Sequence, residues 1–405
     1  MEYGLIGCPL GHSHSPFVHR QFGYDYDLRV VEKEDLGAFL TEGDYLGLNV
    51  TIPHKTAVIP YLDELDESAK RCGAVNTIVV RDGKKIGYNT DIFGMEYALK
   101  AAKIPLNGKN VLILGTGGTS KMAQELCFTQ GARSVTVVSR SGQVDYETVY
   151  EKKDAEIILN CTPVGMYPNN GNKPIDLKRF PNLCGVFDAV YNPLKTALLL
   201  DAEELGIPCS DGLKMLVAQA KRAAEIFRNE EYPDEMIDKV ERRLFHKVAN
   251  VVLVGMPGCG KTTVGKKIAE IMQREFFDVD AEIVKSENRS IERIFQEDGE
   301  GYFRAVEKRV LADLSKRQGI VLSTGGGAVI DPDNIRNMRQ NGILIRINRN
   351  LNNLSCDGRP LSKDRAALEK IAAEREKYYR LADASFENDM PTSCAKKIVE
   401  YFQKQ

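Results

Sequence analysis

Short apolar runs alternate with amphipathic stretches along most of this chain. The runs at 3–6, 47–50, 111–114, 135–138, 157–159 and 185–188 read as strands. A second series lies at 251–254, 320–322 and 343–347. Between them fall stretches with apolar residues at helical spacing, among them 213–227, which reads as a closing helix. This alternation predicts an α/β fold class, with parallel sheets covered by helices on both faces. Residues 228–247 are strongly charged and contain Pro233, so they read as a linker. The boundary is placed near residue 247, giving regions 1–247 and 248–405.

Composition narrows the class of protein without naming a function. The 405 residues suit two or three domains. No apolar run is long enough to span a bilayer, and Met1-Glu2-Tyr3-Gly4 opens no secretory signal. The nine cysteines contain no C-x-x-C pair, so neither a zinc site nor a disulfide framework is suggested. A reduced, cytoplasmic protein is expected. A formal net charge of −2 gives no footprint for nucleic acid, and small-molecule partners are expected.

Chemistry is most legible in the second region. Gly255-Met-Pro-Gly258-Cys-Gly260-Lys261-Thr262-Thr263 fits G-x-x-x-x-G-K-[ST] after a strand and before a helical stretch. Its glycines let backbone N–H groups face phosphates. Lys261 adds a mobile positive charge, and Thr262 offers a hydroxyl to Mg²⁺. Downstream come Asp278-Val-Asp280, Arg304 three residues before Glu307 on one helix face, Gly325-Gly326-Gly327, Arg359-Pro360-Leu361, and Arg375 four residues before Tyr379.

This ordered set resembles shikimate kinase over essentially all of 248–405. The resemblance implies a P-loop α/β kinase domain using ATP and Mg²⁺. It implies that Asp280 holds shikimate hydroxyls and acts as, or near, the general base, and that Asp278 and Thr262 serve the metal. Lys261, Gly255, Gly258, Gly260, Thr262 and Thr263 would hold ATP. Arg304 and Arg375 would clamp the substrate carboxylate, because a guanidinium grips a carboxylate in a fork. Glu307 and Gly325, Gly326 and Gly327 would line the substrate, and Arg359 would reach the transferring phosphoryl group from a lid. Where relatives often carry an arginine-threonine pair flanking adenine, this lid has Leu354-Ser355-Cys356. Modest ATP affinity is expected.

In the first region a strand runs into Gly115-Thr-Gly117-Gly118-Thr119-Ser120, with Ser120 where a dinucleotide fingerprint has its third glycine. The next strand ends in Ser139-Arg140-Ser141. A cation there, in place of an acid, favours a 2′-phosphate and hence NADP over NAD. Further motifs are Gly7-Cys-Pro-Leu-Gly-His12-Ser13-His14-Ser15-Pro16, Asn49-Val-Thr51-Ile-Pro-His54-Lys55, Gly73-Ala-Val-Asn76-Thr77, Asn89-Thr-Asp91 and Asp211-Gly-Leu-Lys-Met-Leu-Val-Ala-Gln219. A lysine beside an aspartate can serve proton transfer.

Together these motifs resemble shikimate dehydrogenase over roughly 1–245, in line with the domain-size expectation. The resemblance implies an α/β substrate domain at about 1–92 and 213–247, and a Rossmann-type NADP domain at about 93–212. Ser13 and Ser15 would hold the substrate carboxylate. Thr51, Asn76, Asp91 and Gln219 would hold ring hydroxyls, with Tyr191 nearby. Lys55 and Asp91 would form the catalytic pair. Gly115, Gly117, Gly118, Thr119, Ser139 and Arg140 would hold NADP, with Thr162 and Met166 beside the nicotinamide. The turn at Arg140 lacks the asparagine usual before it, so a weaker grip on NADP is expected. The implied chemistry is reduction of 3-dehydroshikimate to shikimate, then phosphorylation of shikimate. Two alternatives stay open: a quinate-type dehydrogenase in the first region, and an ATP-binding regulatory module in the second.

Overall fold

The runs at 3–6 and 47–50 become neighbouring strands, and most other expected strands form within one or two residues of their apolar cores. The computed structural model describes residues 2–11, 13–350 and 365–405. By internal packing the chain divides into two units, Met1–Leu244 and Phe245–Gln405.

The first unit holds two sheets. One is six-stranded, in the order β2-β1-β3-β5-β6-β4, from β1 (Tyr3–Gly7), β2 (Asp27–Val30), β3 (Gly47–Val50), β4 (Glu64–Leu65), β5 (Thr77–Arg81) and β6 (Lys84–Tyr88). It is mixed rather than purely parallel as expected, because β5 pairs antiparallel with both β3 and β6. The turn between β5 and β6 is Asp82-Gly83, at φ 50° and 75°. Asp-Gly is favoured in tight hairpins because both central residues need positive φ. Its core gathers Ile6, Leu36, Leu40, Leu48, Val50 and Ile78.

The other sheet is parallel throughout: β7 (Asn110–Leu114), β8 (Ser134–Val138), β9 (Ile157–Asn160), β10 (Gly185–Asp188) and β11 (Cys209–Ser210), ordered β11-β10-β9-β7-β8. The chain leaves β7 in one direction and returns past it to β9. The turn after β7 therefore stands at a topological switch point, where such sheets open a ligand crevice.

Residues 228–247 correct the linker expectation, since Glu235–Val248 is a helix. Ile237, Val240 and Leu244 recur at helical spacing and are buried. On the same element Asp238 and Glu241 pair with Lys214, Asp238 at 2.8 Å. The density of charge hid the apolar stripe.

The second unit is built on a parallel sheet, β13-β14-β12-β15-β16, from β12 (Asn250–Val254), β13 (Phe276–Asp278), β14 (Val321–Ser323), β15 (Gly342–Asn348) and β16 (Ala384–Glu387). The central strand β12 is buried along its length. Helices on one face bury Val306, Leu311, Leu314 and Met338 against Val252 and Leu344. No helix among the described residues is long and apolar enough to cross a membrane.

Candidate active sites

In the first unit, Lys55 follows β3 and Asp91 opens the helix Asp91–Ala101. Lys55 Nζ donates to Asp91 Oδ2 at 2.6 Å, with the two side chains 22% and 14% exposed. Asn89 Oδ1 accepts from the Asp91 N–H at 3.1 Å and fixes the start of that helix. A lysine held beside a carboxylate, still open to a ligand, can pass a proton to a forming alkoxide.

Polar side chains converge beside this pair. Thr90 N–H donates to Asn76 Oδ1 at 2.7 Å, and Asn76 Nδ2 donates to Thr90 Oγ1 at 3.0 Å. Thr90 Oγ1 in turn donates to Gln219 Oε1 at 3.2 Å. Gln219 comes from the long helix Gly212–Arg228, which packs along Asp91–Ala101. That approach needs Gly94: a Cβ there would stand 2.7 Å from the Met215 carbonyl and 3.0 Å from Gln219 Cβ. Ser13 Oγ lies 3.1 Å from Ser15 Oγ and accepts from the Ser15 N–H at the start of the helix Ser15–Arg20. Thr51 follows β3 and approaches Gly7 at the end of β1, where a Cβ would lie 2.5 Å from its methyl group. Tyr191 stands 6.1 Å, ring to ring, from His14. His54 is buried, with Nε2 2.7 Å from the Val31 carbonyl oxygen, which marks it as structural. His12 lies outside the described residues.

The dinucleotide side is built on β7. Gly115 turns the chain at φ 104°, and Gly117 precedes the helix Gly118–Thr129. Open space surrounds the positions where side chains on Gly117 and Gly118 would stand, so a pyrophosphate fits at this helix N-terminus, with Thr119 in its first turn. Ser120 is fully buried, so it fills the place of the third fingerprint glycine inside the unit. Ser139 is buried just after β8 and Arg140 is exposed beside it, and a cation at this strand end would suit a 2′-phosphate. Thr162 Oγ1 donates to Asn160 Oδ1 at 2.7 Å, while Met166 is 44% exposed.

Beneath Thr162 lies a group that the sequence motifs do not single out. Asp188 ends β10 fully buried. It accepts from Asn160 Nδ2 at 3.0 Å, Thr196 Oγ1 at 2.7 Å and the Val190 N–H at 3.0 Å. Burial pushes its carboxyl up to about 6, against the opposing pull of these hydrogen bonds. The network ties the Thr162 turn to the segment that carries Tyr191.

The second unit opens a cavity of about 540 Å³ lined by Gly258, Gly260, Lys261, Thr262, Thr263, Asp278, Asp280, Arg304, Glu307, Gly325, Gly326, Gly327 and Arg375. Gly255 and Gly258 take φ 144° and 82° in the turn after β12. Gly260 takes φ 95°, and a Cβ there would stand 2.3 Å from Asn388 Nδ2. Lys261 Nζ donates to the Gly255 and Met256 carbonyls at 2.9 and 3.0 Å. A nucleoside triphosphate fits this cradle of glycine backbone and lysine. Thr262 Oγ1 donates to Asp278 Oδ2 at 2.7 Å, pairing the hydroxyl and carboxylate that suit Mg²⁺.

Arg304 Nη1 donates to Glu307 Oε2 at 2.7 Å. Glu307 is 1% exposed, and its Oε1 has no hydrogen-bond partner among the described residues. Burial raises the Glu307 carboxyl, Asp280 adds to that, and Arg304 and Arg375 oppose it. A Cβ on Gly325 would meet Glu307 Oε1 at 2.7 Å and Asp280 Oδ1 at 3.1 Å; one on Gly327 would meet the Arg304 guanidinium at 2.6 Å. Arg375 is buried, and Tyr379 on the same helix donates to the Gly326 carbonyl at 2.6 Å. Arg359 and the Leu354–Cys356 stretch lie outside the described residues.

Asn388 also escapes the motif reading. It follows β16, is 2% exposed, and donates through Nδ2 to the Cys259 carbonyl at 2.8 Å. Its backbone N–H donates to the Asn348 carbonyl at the end of β15. The ends of β15 and β16 thus brace the phosphate-binding turn.

Comparison with known proteins gives one answer for each unit. Residues 5–78 match the shikimate dehydrogenase substrate binding domain family, and residues 257–404 match the shikimate kinase family. A shikimate dehydrogenase (NADP(+)) of Staphylococcus epidermidis is 37% identical, covering 58% of this chain and 94% of that protein. One from Geobacillus kaustophilus is 38% identical, over 57% and 94%. Among solved structures, shikimate dehydrogenase 1 of Peptoclostridium difficile aligns at TM-score 0.55 and 37% identity, over 60% of this chain and 98% of that one. The Thermus thermophilus shikimate 5-dehydrogenase in complex with NADP(H) and shikimate aligns at 0.54 and 30%, over 60% and 99%.

Proposed function

Because the chain belongs to the shikimate dehydrogenase family and carries a shikimate kinase domain, we propose that it acts twice on one oxygen, reducing 3-dehydroshikimate and then phosphorylating the product. It uses NADP in the first unit and ATP with Mg²⁺ in the second. When bound, the nicotinamide supplies hydride and ATP the phosphoryl group.

The protein's own part in the first step is to place the C3 carbonyl oxygen at Lys55. Ser13 and Ser15 hold the carboxylate, and Thr51, Asn76, Asp91 and Gln219 hold the ring hydroxyls. Lys55 Nζ gives its proton to the oxygen as the carbonyl carbon receives hydride, leaving a neutral amine and a neutral hydroxyl, and the Asp91 carboxylate holds the Lys55 ammonium in place before the transfer. In the second step Asp280 takes the proton from the same oxygen as it attacks. Arg304 and Arg375 fix the substrate carboxylate. Lys261 spreads charge from the phosphates, and the family resemblance gives Arg359 the same task. Phosphoryl transfer asks chiefly for such positioning and charge neutralisation. A formal charge of −2 further supports small-molecule substrates over nucleic acid.

The observation that carries this reading is the 2.6 Å Lys55–Asp91 pair, present in the same chain as a phosphate cradle facing Asp280, Arg304 and Arg375. Two variants test it. Lys55→Ala lowers NADPH-dependent reduction about 10²–10⁴-fold, the usual worth of a positioned acid, and leaves ADP release from added shikimate unchanged. Asp280→Ala does the reverse. If either variant loses both activities, or neither, the assignment is wrong.

A further inference from the structure

Away from both sites, the first unit holds a cavity of about 360 Å³. It lies at the C-terminal ends of the helices Asp91–Ala101 and Gly118–Thr129, which pack against each other. Leu99, Ile104, Leu106 and Leu126, all buried, form its floor, and the exposed Lys100 and Lys103 stand at its rim. A cavity of this size and lining suits a small organic molecule. None of the residues assigned to 3-dehydroshikimate or NADP lines it.

Two observations on the lysines say what kind of molecule. The first is charge. Glu96 stands four residues before Lys100, the spacing of a helical ion pair. Its Oε1 instead accepts from Gln130 Nε2 at 2.7 Å, at the end of the other helix. Among the described residues neither Lys100 nor Lys103 pairs with a carboxylate.

The second is backbone strain. Both helices end in the same closing turn. The Ile104 N–H donates to the Leu99 carbonyl and the Lys103 N–H to the Lys100 carbonyl; the Ala132 and Gly131 N–H groups donate in the same way to Cys127 and Phe128. Such a turn needs one left-handed residue, usually glycine. Gly131 serves on one helix at φ 73°, but on the other Lys103 takes φ 57°. A side chain is disfavoured there, and strain of this kind is kept where the side chain it carries has a use. The turns also occupy carbonyls that would otherwise draw a cation to the helix ends.

We propose that this cavity binds a small apolar carboxylate, its aromatic or branched body on the leucine and isoleucine floor and its anionic head between Lys100 and Lys103. Charge complementarity sets the occupant: two unpaired cations above an apolar floor match one anionic head on one apolar body. The site touches the far ends of the helices that begin at Asp91 and at the pyrophosphate cradle, so it is separate from both crevices.

Isothermal titration calorimetry of the full chain with naphthalene-2-carboxylate tests this. One molecule binds per chain, and neither shikimate alone nor NADP⁺ alone displaces it. Naphthalene-2-methanol, the uncharged counterpart, binds about fivefold or more weakly, as does the carboxylate to Lys100→Glu or Lys103→Glu, for loss of a charge-assisted hydrogen bond. Lys103→Gly weakens binding to the same extent, yet raises the temperature at which NADPH-dependent reduction is half lost, because glycine relieves the left-handed position. Absence of binding, displacement by shikimate or NADP⁺, equal affinity for the alcohol, or affinity indifferent to the lysine variants overturns the proposal. So does a Lys103→Gly chain that is inactivated at a lower temperature, which would make Lys103 a structural residue. An assembly of chains that naphthalene-2-carboxylate breaks apart, followed by sedimentation velocity, would show that a second copy fills the cavity instead.

Discussion

A lysine and an aspartate 36 positions apart meet at 2.6 Å in the first unit, each brought there by a different element. The sequence names both residues through their motifs, because a polar side chain that must meet a ligand sits in a short run of fixed wording. Asp188 has no such wording. It touches only protein, and its carboxyl is held up to about 6 by burial. A carboxyl raised in this way keeps its proton in the folded chain at pH values where the unfolded chain has lost it. Its contribution to stability therefore falls as pH rises from about 4 to about 6 and is constant above. Asp188→Asn removes that dependence. In urea titrations that follow the loss of NADPH-dependent activity, the wild type loses stability relative to the variant across this window. A difference that does not change with pH would show that Asp188 is already ionised throughout it.

Elements divide by whether their apolar residues face one core or two. Central strands such as β9 and β12 are buried on both faces and stand out as apolar runs. Two edge strands do not: β2 alternates charge with exposed aliphatics, and β16 reads Ala-Ser-Phe-Glu, so neither was legible, whereas the edge strand β8 keeps an apolar run and was. The helix Glu235–Val248 was hidden by its own surface charge. The end of β16 has a consequence for nucleotide binding. Asn388 holds the Cys259 carbonyl beside Gly260, whose φ of 95° the turn requires. Asn388→Ala leaves that carbonyl without its donor, a loss of about 1–3 kcal/mol in a buried setting. The expected result is a KM for ATP raised about tenfold or more, with the KM for shikimate little changed. Asn388→Asp, which keeps the shape but not the donor, does the same. Equal rises in both KM values would mean that the whole unit has loosened.

At the scale of the whole chain, the residues assigned to reduction lie within Met1–Leu244 and those assigned to phosphoryl transfer within Phe245–Gln405. Among the described residues, the groups assigned to each step therefore come from a single unit. The intermediate that passes between them is a small polar anion, which water solvates well. Release to bulk solvent followed by rebinding is then the expected route, with no channelling. A coupled assay started with 3-dehydroshikimate, NADPH, ATP and Mg²⁺ checks this. NADPH loss begins at once, while ADP release shows a lag as free shikimate builds up. An equimolar mixture of Lys55→Ala and Asp280→Ala, matched to wild type in each active site, gives the same lag and the same final rate. The mixture separates the two activities onto different molecules, so transfer within one chain would give wild type a shorter lag than the mixture. A wild type with no lag would show that joining the units delivers shikimate directly.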